Sequence, residues 1–116
     1  MGTNYYMMRK EFKNILDNIP EHEKEYYENS LLIKIGKASY GWKFLFHYSQ
    51  FFKSYKELLE LLNKFNFIII DEYNKIISIE EFKHIVESRQ LCNSHKQIDS
   101  DIIEIDGYDF CKGVFY

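Results

Sequence analysis

The chain has 116 residues, 46% hydrophobic and 18% aromatic, with 18 acidic and 15 basic side chains and a formal net charge of −3. That length fits one domain, 1–116, and the aromatic content argues against disorder. No apolar run approaches the roughly 20 residues of a membrane helix, and an acidic chain whose only arginines are Arg9 and Arg89 is a poor candidate for sequence-specific DNA binding.

Thr3 to Met8 is β-prone and starts a sheet. Arg9 to Asn18 has helical spacing at Phe12, Ile15, Leu16 and Ile19. Pro20 ends that helix and restarts a second short one through Tyr27, both with a narrow apolar stripe that suits the periphery. Leu31–Lys37 and Trp42–His47 read as two strands joined by a turn at Ala38–Gly41, with Trp42, Phe44 and Phe46 on one apolar face. Ser54 with Glu57 is a capping box that opens a helix to Phe65. Phe67–Asp71 and Lys75–Ser78 form a hairpin around Glu72-Tyr73-Asn74, and Ser78 with Glu81 caps the next helix. Gln90 to Ser100 is polar loop. Asp101–Asp106 alternates acid and Ile, and Gly107-Tyr108 turns into a last short strand near Phe115. The sum is an α+β domain, with a mixed or antiparallel sheet of about five strands and helices on one face.

Charge is unevenly spread. Lys34, Lys37, Lys43, Lys53 and Lys56 stand without an acid between Leu31 and Lys56, whereas Asp99, Asp101, Glu104, Asp106 and Asp109 stand without a base. Either the two stretches neutralise each other in the fold or one is a docking surface, the acidic set being a lure for a basic groove. The Gly36–Trp42 segment offers Lys37, Ser39, Tyr40, Trp42 and Lys43, either as an anion or nucleotide site or as aromatic anchors for a protein. It lacks the glycine spacing of a Walker-type loop, and a plain hairpin turn with Trp42 in the core is the simpler account.

Cys92 and His95 have the gap of a metal half-site, but only Cys111 and the scattered His22, His47 and His84 are left to complete four ligands. No metal or cofactor is expected, and His84 reads as a helix-surface residue. Two cysteines make no disulfide framework, and no charged start precedes an apolar segment, so a reducing cytoplasm is the expected location. Asp71-Glu72 after an apolar strand is the pattern of a metal-dependent nuclease, though Asp and Asn also favour turns. No complete catalytic motif is present, and the expectation is a non-enzymatic protein.

The motifs Met1-Gly2-Thr3-Asn4-Tyr5-Tyr6, Ile35-Gly36-Lys37-Ala38-Ser39-Tyr40-Gly41-Trp42-Lys43-Phe44, Asp71-Glu72-Tyr73, Ile77-Ser78-Ile79-Glu80-Glu81-Phe82 and Asp106-Gly107-Tyr108-Asp109-Phe110 span most of the chain. In these the sequence resembles a family of small accessory proteins of tailed phages and prophages. The resemblance implies no settled activity. Some members of that family carry cysteine knuckles before the Ile-Gly-Lys motif, where this chain has Asn14–Asn29 without cysteine. Phage genes of this size commonly encode inhibitors of bacterial defence, anti-CRISPR proteins and cyclic-nucleotide traps among them. The partner implied is a host defence protein or ribonucleoprotein in the bacterial cytoplasm, with a nucleotide as the alternative ligand.

Overall fold

The computed structural model describes residues 2–113, the side chain of Asn29 excepted. Met1 of the opening motif and the strand end near Phe115 lie outside the described residues. In chain order the elements are β1 (Gly2–Arg9), α1 (Lys10–Asn18), α2 (Glu21–Leu31), β2 (Ile33–Ser39), β3 (Leu45–His47), α3 (Tyr55–Lys64), β4 (Phe67–Asp71), β5 (Ile76–Ile77), α4 (Ile79–Glu87), β6 (Ile102–Ile105) and β7 (Tyr108–Cys111). The class is α+β with a mixed sheet, as the patterning indicates. The sheet is wider than the expected five strands: seven join in the order β5-β4-β1-β2-β3-β7-β6. The β6–β7 hairpin supplies two of the seven, and it attaches by pairing β7 parallel to β3.

Helices cover both faces of the sheet, not one. The reason lies in the central strands. Met7 and Met8 of β1 are both fully buried, one on each face, and Ile69 and Ile70 of β4 divide in the same way. A strand buried on both sides reads as a continuous apolar run rather than an alternation. On the main face, Leu58 and Leu62 of α3 and Phe82 and Val86 of α4 pack over Tyr5, Met7, Ile35 and Ile69. On the second face, Phe12 and Leu16 of α1 and Tyr27 and Leu31 of α2 cover Tyr6, Met8 and Ile70.

Both capping boxes form. The Ser54 hydroxyl accepts the Glu57 N–H at 3.1 Å and that of Ser78 accepts the Glu81 N–H at 3.0 Å, each contributing about 1 kcal/mol. Phe44, Phe46 and Phe110 fill the centre of the main core, the last two stacked at 4.9 Å. Trp42 is not with them: strand β3 begins only at Leu45, and Trp42 is half-buried outside that core.

Gly36 lies in strand β2 as expected, and the strand runs on through Ser39, so Ala38 and Ser39 are strand and not turn. Gly36 sits at a bulge where Tyr5 pairs with Gly36 and Tyr6 with Lys34, leaving Ile35 as the extra residue. A Cβ at Gly36 would strike the Leu45 carbonyl and come within 2.6 Å of the Phe44 ring. The glycine is there so that β3 and Phe44 can approach. The β6–β7 turn does need its residue types, since Asp106 and Gly107 have φ of 54° and 87°, the conformation of a tight two-residue hairpin turn.

Candidate functional site

Parallel pairing of β3 with β7 sets Leu45 beside Asp109 and Phe46 beside Phe110, so the residues preceding the two strands emerge at the same end of the sheet. The β2–β3 turn and the β6–β7 turn thereby become neighbours, and the segment after α4 ties them together. Asn93 donates its N–H to the Gly41 carbonyl (3.3 Å) and accepts that of Lys43 (3.0 Å). The Gly107 carbonyl accepts from Gln90 Nε2 at 3.0 Å and from Lys43 Nζ at 2.7 Å.

The result is one composite surface. Tyr40 is 97% exposed and Leu91 is fully exposed. Asp106 lies on the β6–β7 turn, and Glu104 on the strand that leads into it. Two large exposed apolar side chains thus stand at the end of the sheet that also carries Asp106, on a scaffold fixed by hydrogen bonds.

Lys43 is not available to an anion. Only 9% of it is exposed, and its ammonium lies against the Gly107 carbonyl and 3.6 Å from a Glu104 oxygen. Here the positive and negative stretches do neutralise each other. Lys37 and Ser39 stay together on one face of β2, both side chains close to Gly2. Tyr40 is on the turn tip, and the Trp42 ring stacks on His95 at 5.1 Å. The five residues of the expected anion site therefore split into separate settings.

Asp109 leaves the acidic docking set altogether. It is fully buried in β7, where its carboxylate accepts the Ser94 hydroxyl and the His95 N–H, each at 2.8 Å. His95 Nε2 lies 3.0 Å from the Lys43 carbonyl. The acidic stretch is broken there because Tyr108-Asp109-Phe110-Cys111 is an inner strand. Asp109 is its one charged member, and it pins the loop carrying the turn His95–Gln97 onto the sheet. Asp99, Asp101, Glu104 and Asp106 remain exposed.

Among the described residues no group of three His, Cys, Asp or Glu side chains gathers to hold a metal ion. His95 is engaged as above, Cys92 is half-buried and His84 exposed. Cys111 is buried, and burial pushes its thiol pKa up, away from the reactive thiolate. The Asp71-Glu72 pair closes its turn: Asp71 Oδ1 accepts the N–H groups of Tyr73 (2.8 Å) and Lys75 (2.9 Å), and Glu72 Oε1 accepts that of Asn4 (2.8 Å). These two residues also line a cavity of about 370 Å³ with Tyr6, Glu28, Leu32 and Lys34. Burial, reinforced by Glu72 and Glu28, raises the Tyr6 pKa there.

Sequence patterning missed Leu91, Ser94 and Gln90, which fell within a featureless polar loop. Of the three, Leu91 alone carried a signal, as a large apolar residue that shares that stretch with Ile98. No helix among the described residues is long and apolar enough to cross a membrane. Compared with known protein families, curated proteins and solved structures, the chain matches none.

Proposed function

We propose that the protein is a non-enzymatic binding protein that docks on a protein partner through the end of the sheet carrying Tyr40, Leu91 and the acids of the β6–β7 hairpin. In its most specific form this is a phage-borne inhibitor of a bacterial defence system, CRISPR effectors among them, acting by occupying a protein or ribonucleoprotein. The carrying observation is the tie between Gly41, Asn93, Gln90 and Gly107, which joins aromatic, apolar and acidic residues from distant parts of the chain. Tyr40 and Leu91 supply desolvation in the contact, and the acids steer a basic partner toward it. The motif resemblance to phage accessory proteins supplies the biological setting.

The test is capture from a lysate of defence-competent bacteria by the tagged protein, with mass spectrometry of proteins and of extracted nucleotides. Asp101→Lys with Asp106→Asn reduces the acidic charge while sparing Glu104, which Lys43 needs, and Tyr40→Ala with Leu91→Ala removes the anchors. Wild type retains a stoichiometric defence protein and both double variants release it. Recovery of a nucleotide with no protein, or capture indifferent to both pairs, defeats the reading.

A further inference from the structure

Strand β6 is the last in the sheet, and no described strand lies beyond it. Its pairing with β7 fixes which of its backbone groups face outward. The turn at Asp106-Gly107 is closed by Ile105 and Tyr108, and in such a hairpin the closing pair exchanges both hydrogen bonds, with the bonded pairs alternating from there. Ile103 with Phe110 is the next bonded pair, and the Lys112 N–H to Asp101 carbonyl bond of 3.0 Å continues the same alternation. Ile102 and Glu104 therefore turn their backbone groups away from β7. The Ile102 N–H is taken by the Asp99 carbonyl at 3.3 Å, which leaves the Ile102 carbonyl and both groups of Glu104 on the open edge.

The charge along this edge selects its occupant. Asp99, Asp101, Glu104 and Asp106 are exposed. Lys43 reaches Glu104 from beneath, and Lys112 is drawn aside, its ammonium 5.6 Å from the centre of the Tyr48 ring. A second copy of the chain pairing edge to edge would set acids against acids, an arrangement that opposes self-association. The opposite edge, β5, has only two residues and so little backbone to offer.

We infer that β6 is a docking edge that accepts one extended, lysine- or arginine-rich segment of a partner protein as an eighth strand of the sheet. This rests on the protein-docking reading above and names its partner chemistry. Main-chain hydrogen bonds to Ile102 and Glu104 hold the segment, and its basic side chains meet the acids. Four residues of strand span about 13 Å, so the edge is one element of a larger contact and depends strongly on salt.

The probe is a synthetic peptide of alternating Lys and Val, added to the full chain at low salt, with amide exchange followed by NMR and a Glu-Val peptide as control. Exchange of the Glu104 amide slows about tenfold or more, while Ile103 and Ile105, already bonded to β7, are unchanged. Glu104→Pro and Glu104→Gln both remove the negative charge that faces Lys43, but only the proline removes the outward N–H, so it binds about tenfold more weakly than the glutamine variant. Equal affinity of the two variants, protection that bypasses Glu104, or no binding overturns edge pairing. The wild-type exchange measurement decides the matter even where the proline variant fails to fold. Capture of a protein from lysate alongside an unchanged Glu104 amide sinks the edge and spares the docking reading; peptide protection without any captured protein does the reverse.

Discussion

Removing the buried carboxylate of Asp109 tests how the end of the sheet carrying the β2–β3 and β6–β7 turns is built. Asp109→Ala takes away the acceptor of two hydrogen bonds, from the Ser94 hydroxyl and the His95 N–H, both 2.8 Å long. Hydrogen bonds to an ionised group contribute about 1.5–3 kcal/mol each. The two share one carboxylate and one loop, so their losses do not add in full, and about 3 kcal/mol in total is expected. For a domain of this size each kcal/mol moves the melting temperature by about 4 °C, so Tm falls by about 12 °C. Asp109→Asn is milder, at about 1 kcal/mol. Its Oδ1 still accepts the His95 N–H, and its Nδ2 donates to a Ser94 hydroxyl that can rotate to accept. The assay is thermal unfolding followed by the emission of Trp42, the only tryptophan, whose ring stacks on His95. Asp109→Ala should shift native-state emission before any unfolding, since releasing His95 exposes the indole. A Tm within about 2 °C of wild type, with unchanged emission, would refute the view that Asp109 pins this loop.

Gly36→Ala should destabilise by about 1–3 kcal/mol or prevent folding, because its methyl meets the Leu45 carbonyl, a backbone atom that cannot swing aside; a urea midpoint equal to wild type would contradict this. Tyr55 buries a hydroxyl with no hydrogen-bond partner among the described residues, so Tyr55→Phe should gain about 0.5–1 kcal/mol at neutral pH. Burial, with Glu87 next, raises the Tyr55 pKa above the ordinary tyrosine value, and burial is also the chief cause of the rise at Tyr5, Tyr6 and Tyr108. With folded values above unfolded ones, the fold favours the neutral rings. Their contribution is therefore intact below about pH 10 and is lost as pH climbs through the folded values. Urea midpoints measured across that range should fall, and fall less steeply in Tyr55→Phe; parallel slopes for the two proteins would discount Tyr55 as a source of the alkaline loss.

Local patterning was enough to locate most elements of this fold, because their signals are carried by neighbouring residues. Ser54 with Glu57 and Ser78 with Glu81 mark helix starts through hydrogen bonds three residues long, and Gly107 marks a turn, which the structure centres on Asp106-Gly107 rather than on Gly107-Tyr108. Non-local partners were beyond such reading. Nothing near Phe110 announces that it pairs with Phe46, and nothing near Asp109 distinguishes an inner-strand carboxylate from its exposed neighbours Asp101 and Asp106. The paired Met7-Met8 and Ile69-Ile70 held the sign of a two-sided sheet, but it was obscured by the thin apolar stripes of α1 and α2. The same limit applies at the end of the sheet where the two turns meet. Tyr40 and the acids were visible singly, while the hydrogen bonds from Asn93 and Gln90 that make them one surface depend on the finished topology.

The parallel joint between β3 and β7 also dictates an order of assembly. It links Phe46 to Phe110 across three intervening strands and two helices, a separation comparable with that between Tyr5 of β1 and Asp71 of β4, so these two joints carry the large loop entropies of the sheet. Hairpins and capped helices form on short timescales, whereas joints of this length close more slowly. Before it closes, β3 is an open edge, Lys43 has no Gly107 carbonyl to meet, and the two turns stand apart. The end of the sheet that carries Tyr40, Leu91 and Asp106 is thus assembled only when this joint closes, and the docking proposed for it would select chains in which the joint has closed.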